Sequence, residues 1–115
     1  MKVQRWEAQM RRGSIELILL TMLKRDGEKY GVDIIDELKR SFAIEFIESS
    51  LYPIMNRLSR DKMVTSRWST DNPGHPRKYY SITAKGIDIA GRMDAKLNDF
   101  VTLFNKVKHK KQRSA

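Results

Sequence analysis

Cysteine is absent from this 115-residue chain. That excludes disulfides, thiolate zinc sites and a cysteine nucleophile, and it is compatible with an intracellular compartment. Histidine is scarce too: there are two, His75 and His109, far apart in sequence. The chain also lacks a phosphate-cradling glycine loop, a metal-spaced cluster and a nucleophile–base pair, so neither an enzyme nor a cofactor is expected. Long apolar runs are missing. The nearest candidate, Ile15 to Leu23, follows Arg11-Arg12 in the manner of a signal peptide. It contains Glu16, ends at Lys24-Arg25-Asp26 and has no small-residue cleavage site, so that reading fails. It is also too short to span a bilayer, and no membrane role is expected.

Acidic residues are the remaining shortage. Fourteen Asp and Glu face 23 Lys and Arg, a net charge of +9, which points to polyanionic partners. The distribution is uneven. Residues 1–12 carry +3, residues 13–48 carry −3, residues 49–85 carry +5, residues 86–103 carry −1 and residues 104–115 carry +5. Lys and Arg often do no more than keep a small protein soluble. Here the excess gathers on one contiguous segment, which favours DNA. Apolar content of 40% with 32% charged residues fits one folded domain with a modest core.

Periodicity orders the rest. Val3, Trp6 and Met10 recur at helical spacing before Gly13. A second apolar face follows at Ile15, Ile18, Leu19, Met22 and Leu23, with Ser14 as its expected cap. Asp26-Gly27-Glu28 breaks the helix. Tyr30 to Arg40 makes another, with Gly31, Ile34, Ile35 and Leu38 inward, and Phe42 to Phe46 alternates as an extended connector. The next helix is expected to start at Ser49 or Ser50, either of which can cap it, with Pro53 in its first turn. Leu51, Ile54, Met55 and Leu58 cluster on its inner side. Tyr52, Asn56 and Arg60 point the other way, with Pro53 and Arg57 nearby. Val64 to Trp68 alternates as a strand, Thr70 to Pro76 is dense turn chemistry, and Lys78 to Ile82 returns as a second strand. Tyr79 and Tyr80 alternate, so one of them faces the core and the sequence leaves open which. Trp68 is expected to pack. Thr83 caps a long last helix on which Ala90, Met93, Leu97, Phe100, Phe104 and Val107 follow heptad spacing. That seam outruns any core of this size and calls for a second copy of the chain.

A presented helix followed by a basic hairpin is the layout of a winged helix-turn-helix. Asn56 suits adenine and Arg60 suits guanine, while the Ser49 and Ser50 hydroxyls at a helix N-terminus suit phosphate. Arg77 and Lys78 at the hairpin base suit phosphate or the minor groove, and His75 lies beside them. The plainer alternative is a solvated helix face. Two other function classes compete: a protein-interaction adaptor on a winged fold, and a non-specific nucleic-acid binder.

Four blocks in order resemble the PadR family of bacterial transcriptional regulators, in its short form with one C-terminal helix. They are Gly13 to Leu20, Tyr30 to Ile34, Ser50-Leu51-Tyr52-Pro53 with Arg57-Leu58, and Pro76 to Tyr80 followed by Ile82 to Gly86. The resemblance covers roughly Arg12 to Phe104. It implies a mainly α fold with a small β-hairpin wing, and a cytoplasmic, homodimeric repressor of a two-fold symmetric double-stranded DNA operator. Residues 1–83 would form the DNA-binding domain, 84–107 the dimerisation helix and 108–115 a disordered basic tail. Trp6, Met10, Ala90, Met93, Leu97, Phe100, Val101 and Phe104 would make the dimer interface. The family usually has glycine near Lys62, so either Lys62 adopts a left-handed conformation or the helix ends differently here. Some short members trap flat aromatic drugs between tryptophans of their C-terminal helices; Leu97 and Phe100 occupy that stretch here. An aromatic effector pocket built from Trp6, Met10, Met93, Leu97 and Phe100 stands against the simpler expectation that these side chains fill the interface.

Overall fold

The computed structural model describes residues 2–71 and 74–109. The first helix, α1, runs unbroken over Val3–Asp26. The expected division at Gly13, with Ser14 as a cap, is corrected: the two apolar stretches belong to one rod. Glycine inside a helix costs only about 1 kcal/mol against alanine, which strong helix formers on either side offset. The helix ends at Gly27, whose φ of 79° suits only glycine well and whose N–H reaches the Leu23 carbonyl at 2.8 Å.

Two residues, Lys29–Tyr30, form strand β1. Helix α2 follows at once over Gly31–Phe42 and closes with Ala43 left-handed at φ 53° and the Ile44 N–H on the Leu38 carbonyl. Helix α3 spans Glu48–Arg60 with Ile47 at its N-cap and no side-chain cap. Two expectations are therefore corrected. Neither Ser49 nor Ser50 caps α3, because the N-cap position falls at Ile47, two residues before Ser49. Pro53 sits in the second turn, where its missing N–H leaves the Ser49 carbonyl without its intrahelical donor. Beyond α3, Lys62 is left-handed at φ 62°, and the Met63 N–H returns to the Leu58 carbonyl.

Strands β2 (Val64–Ser69) and β3 (Arg77–Ile82) form the hairpin, and the antiparallel sheet has the order β1-β3-β2. The pairing runs from Val64 with Ile82 to Ser69 with Arg77. Tyr80 is the core tyrosine at 0% exposure, while Tyr79 lies on the other face against Tyr30, ring centroids 5.7 Å apart. Helix α4 spans Ala84–His109 and Thr83 caps it as expected: its hydroxyl accepts the Gly86 N–H at 3.0 Å and donates to the Lys62 carbonyl at 2.7 Å. Lys108 and His109 of the expected tail are helical; residues 110–115 lie outside the described residues.

The core joins Leu19, Leu20 and Leu23 of α1, Ile34 and Leu38 of α2, Leu51, Met55 and Leu58 of α3, and Val64 and Tyr80 of the sheet. It ends early along α4, where Gly86 and Ala90 are the buried residues. The described part of the molecule measures 72 × 33 × 21 Å, far longer than its core.

Candidate nucleic-acid interface

Helix α3 shows its apolar side to the core, which leaves Ser49, Ser50, Pro53, Asn56, Arg57 and Arg60 exposed. Tyr52 departs from the expected face. It is half-buried, with its ring 3.6 Å from where a Gly31 side chain would begin, so it packs beside the start of α2. Burial, then the nearby Glu48 carboxylate, push its hydroxyl above the ordinary range. Arg57 is held by Glu16 of α1 at 2.7 Å. Arg60 has no carboxylate partner among the described residues.

Alternation sorts the hairpin into two faces. One carries Arg67, Tyr79 and Arg77 beside Tyr30 of β1. The Arg67 guanidinium lies 5.0 Å from the Tyr79 ring centroid, and Arg77 lies 5.1 Å from that of Tyr30. Glu28 grips Arg67 with both oxygens, one contact measuring 2.6 Å, and the pairing lowers the Glu28 pKa. The opposite face carries Lys78 and Trp68, directly paired across the strands, with the Lys78 ammonium 5.6 Å from the indole and 5.7 Å from the Tyr80 ring. Trp68 was expected to pack and does not: it is 60% exposed. Alternation assigns it to the inner face, but the hairpin outruns the helices there. His75 is exposed beside the wing tip, next to Gly74 at φ 93°.

Exposed Arg60, Lys62 and Arg77 and half-buried Lys78 thus stand without carboxylate partners among the described residues, on α3, the segment after it and the wing. Arg57 and Arg67 are already engaged. Sequence reasoning missed Glu28, Tyr30, Arg67 and Tyr79 as supports of the wing. Their signal was faint, since β1 is two residues long and exists only through its pairing with β3. Among the described residues no group of three or more His, Asp or Glu could hold a metal ion, and no helix is long and apolar enough to cross a membrane.

The second candidate region lies along α1 and α4. Trp6, Met10, Leu97, Phe100, Val101 and Phe104 are exposed, Phe100 at 68%. Ala90 is corrected: at 5% exposure it is spent in the chain's own core, and Met93 packs partly against that core. The five expected pocket residues are not brought together within one chain. Met10 and Leu97 line a groove of about 370 Å³ with Leu17, Ile18 and Phe42, and Met93 and Leu97 line another of about 430 Å³; Trp6 and Phe100 line neither.

Comparison with known proteins agrees with this arrangement. The chain is 31% identical to a PadR-like transcription factor from Bacteroides fragilis, covering 90% of this chain and 98% of that one, with a TM-score of 0.76. A PadR family transcriptional regulator from Eggerthella lenta superposes with a TM-score of 0.81 at 27% identity, over 91% and 90% of the two chains. An uncharacterized protein of Lysinibacillus sphaericus is 30% identical over 79 residues, 65% of this chain and 70% of its own. The model of the transcriptional regulator PadR-like family matches residues 19–91, the stretch from the core of α1 through the wing into α4. A solvent-exposed polar face on α3, a basic wing and that match together make this chain a member of the PadR-like family of transcriptional regulators, a DNA-binding family and not a family of enzymes.

Proposed function

We propose that the protein is a homodimeric, cytoplasmic repressor that reads a two-fold symmetric operator with two copies of α3 and brackets it with two wings. The observation that carries the dimer is the outer half of α4. Leu97, Phe100, Phe104 and Val107 continue the apolar seam beyond the chain's own core and stand open to solvent. A second copy of the same helix covers such a seam, as in a coiled coil. On DNA, Asn56 and Arg60 are the base readers, and the Ser49 and Ser50 hydroxyls suit phosphate at the N-terminus of α3. Arg77 and Lys78 suit phosphate from the wing, with His75 beside them. Tyr52, wedged against Gly31, orients α3 more than it reads. Selection of bound sequences from a random duplex pool tests this. A motif with two-fold symmetry, its half-sites spaced by roughly 34 Å or one helical turn, is the expected result. An asymmetric motif would overturn the dimeric reading.

A second reading concerns release. The two grooves that meet at Leu97 are apolar-lined, and dimerisation brings both copies close to the axis, together with Trp6 and Phe100. A flat hydrophobic effector seated there would alter the spacing of the two α3 helices. Trp6 fluorescence, with Trp68 substituted to leave one reporter, decides the matter. Saturable quenching by planar aromatics accompanied by release from operator supports an effector; no quenching leaves Trp6, Met10, Met93, Leu97 and Phe100 as interface filling.

A further inference from the structure

Trp68 is the largest side chain on the wing, and the described residues leave it 60% exposed. Burying apolar surface stabilises a fold, so an indole left this open is an interaction not used in folding. Its direction is fixed by register. Val64 pairs with Ile82, Ser66 with Tyr80 and Trp68 with Lys78, so Trp68 shares a face with buried Val64 and Tyr80. That is the face that meets the core shared with α1, α2 and α3. The indole therefore projects on the same side of the sheet as the recognition helix, one strand-length further out. Its cross-strand neighbour is cationic: the Lys78 ammonium sits 5.6 Å from the ring. Arg77, next in the strand, lies on the opposite face against Tyr30, and Lys78 has no carboxylate partner among the described residues.

An apolar ring with a cation beside it fits the minor groove of a duplex, where sugar edges present apolar surface between two rows of phosphates. We propose that Trp68 is a DNA contact, its indole seated on sugar edges of the minor groove while Lys78 takes the flanking phosphate. This rests on the DNA-binding reading of the wing. It assigns the wing an apolar grip as well as an electrostatic one.

The two kinds of contact respond differently to salt. Displacing water from a ring releases no counterions, whereas neutralising a phosphate does. Trp68→Ala should weaken binding of a dye-labelled, mixed-sequence duplex about tenfold, with the slope of log affinity against log salt unchanged. Trp68→Phe should recover most of the loss, and Lys78→Ala should lower the slope by about one. In a Trp6→Phe background Trp68 is the sole indole; on duplex binding its emission should be quenched and its access to acrylamide should fall. Anisotropy of the dye reports binding independently. A duplex that binds while the Trp68 signal and acrylamide access stay unchanged overturns the contact and leaves the DNA reading intact. A Trp68→Ala slope that falls like that of Lys78→Ala also overturns it, since the ring would then serve only to hold the lysine. No binding of any duplex at low salt would remove the DNA reading and this inference together.

Discussion

Asn56 and Arg77 both face solvent, from elements that meet a duplex differently. Asn56→Ala should reduce preference for a selected operator over random duplex, because an amide bonded to one base edge discriminates by about 1–3 kcal/mol. Arg77→Ala and Lys78→Ala should weaken both duplexes alike and flatten the salt dependence. Competition titrations at two salt concentrations separate the outcomes, and a changed sequence preference in Arg77→Ala would sink this division. Tyr80 calls for a different measurement. Its hydroxyl is buried with no hydrogen-bond partner among the described residues, and burial, then the neighbouring Tyr52, push its pKa up to about 12. Tyr80→Phe removes an unsatisfied group and should hold or raise stability, by up to about 1 kcal/mol. A raised pKa keeps the folded chain protonated where the unfolded chain has begun to ionise. The Tyr80 contribution is therefore complete below pH 10 and is lost as pH rises toward 12. Denaturant melts of the two proteins across that window should diverge as the pH climbs, the wild type losing stability that Tyr80→Phe keeps. At this scale the sequence was informative about exposure on α3 and less so about depth. Asn56 and Arg60 face outward as the helical wheel implies. Tyr52 and Ala90 are drawn inward by partners distant in sequence, Gly31 and the α1 core, and Trp68 is left out because alternation names a face without saying what covers it.

The junction between α3, β2 and α4 is a single construction. Lys62 turns left-handed, its carbonyl accepts from Thr83, and the Thr83 hydroxyl in turn caps α4 at Gly86. A side chain built on Gly86 would place its Cβ 2.2 Å from the Met63 carbonyl oxygen, a backbone atom with no freedom to retreat. Gly86→Ala should therefore destabilise by at least about 2 kcal/mol, whereas Lys62→Gly relieves a strained φ and should stabilise by about 0.5–1 kcal/mol. Chemical denaturation midpoints moving in opposite directions are the expected result. Parallel shifts would mean that the junction is not tight. The Thr83 cap was legible from local chemistry, whereas the left-handed Lys62 was one of two helix endings that the family resemblance left open. The start of α3 was not: two serines offered caps, yet Ile47 takes the position, because the α2–α3 connector already fixes the entry of the chain through buried Ile44. Strand β1 was invisible for a related reason. Two residues have no period, and Lys29 and Tyr30 become a strand only once Tyr80 and Tyr79 lie beside them.

Across the whole molecule, the 26-residue α4 is about 39 Å long and its own core serves only its first two or three turns. Leu97→Asp would place a carboxylate in the seam. Sedimentation should then show a monomer at micromolar concentration, with tight operator binding lost because one α3 and one wing read too little alone. A wild-type monomer would refute the arrangement. The seam was legible from heptad spacing, but the point where it passes from the chain's own core to open surface was not, since periodicity does not reveal how far α1 extends beneath it. Unbroken passage through Gly13 has a mechanical consequence. Trp6 and Glu16 stand on one rod, about 15 Å apart, and the Glu16 carboxylate holds Arg57 on α3. A hinge at Gly13 would have let the two ends move independently. As built, any tilt imposed at the Trp6 end arrives at Arg57 as a displacement of its tether. The molecule thus has a lever between the surface where two copies would meet and the helix that would lie in the groove.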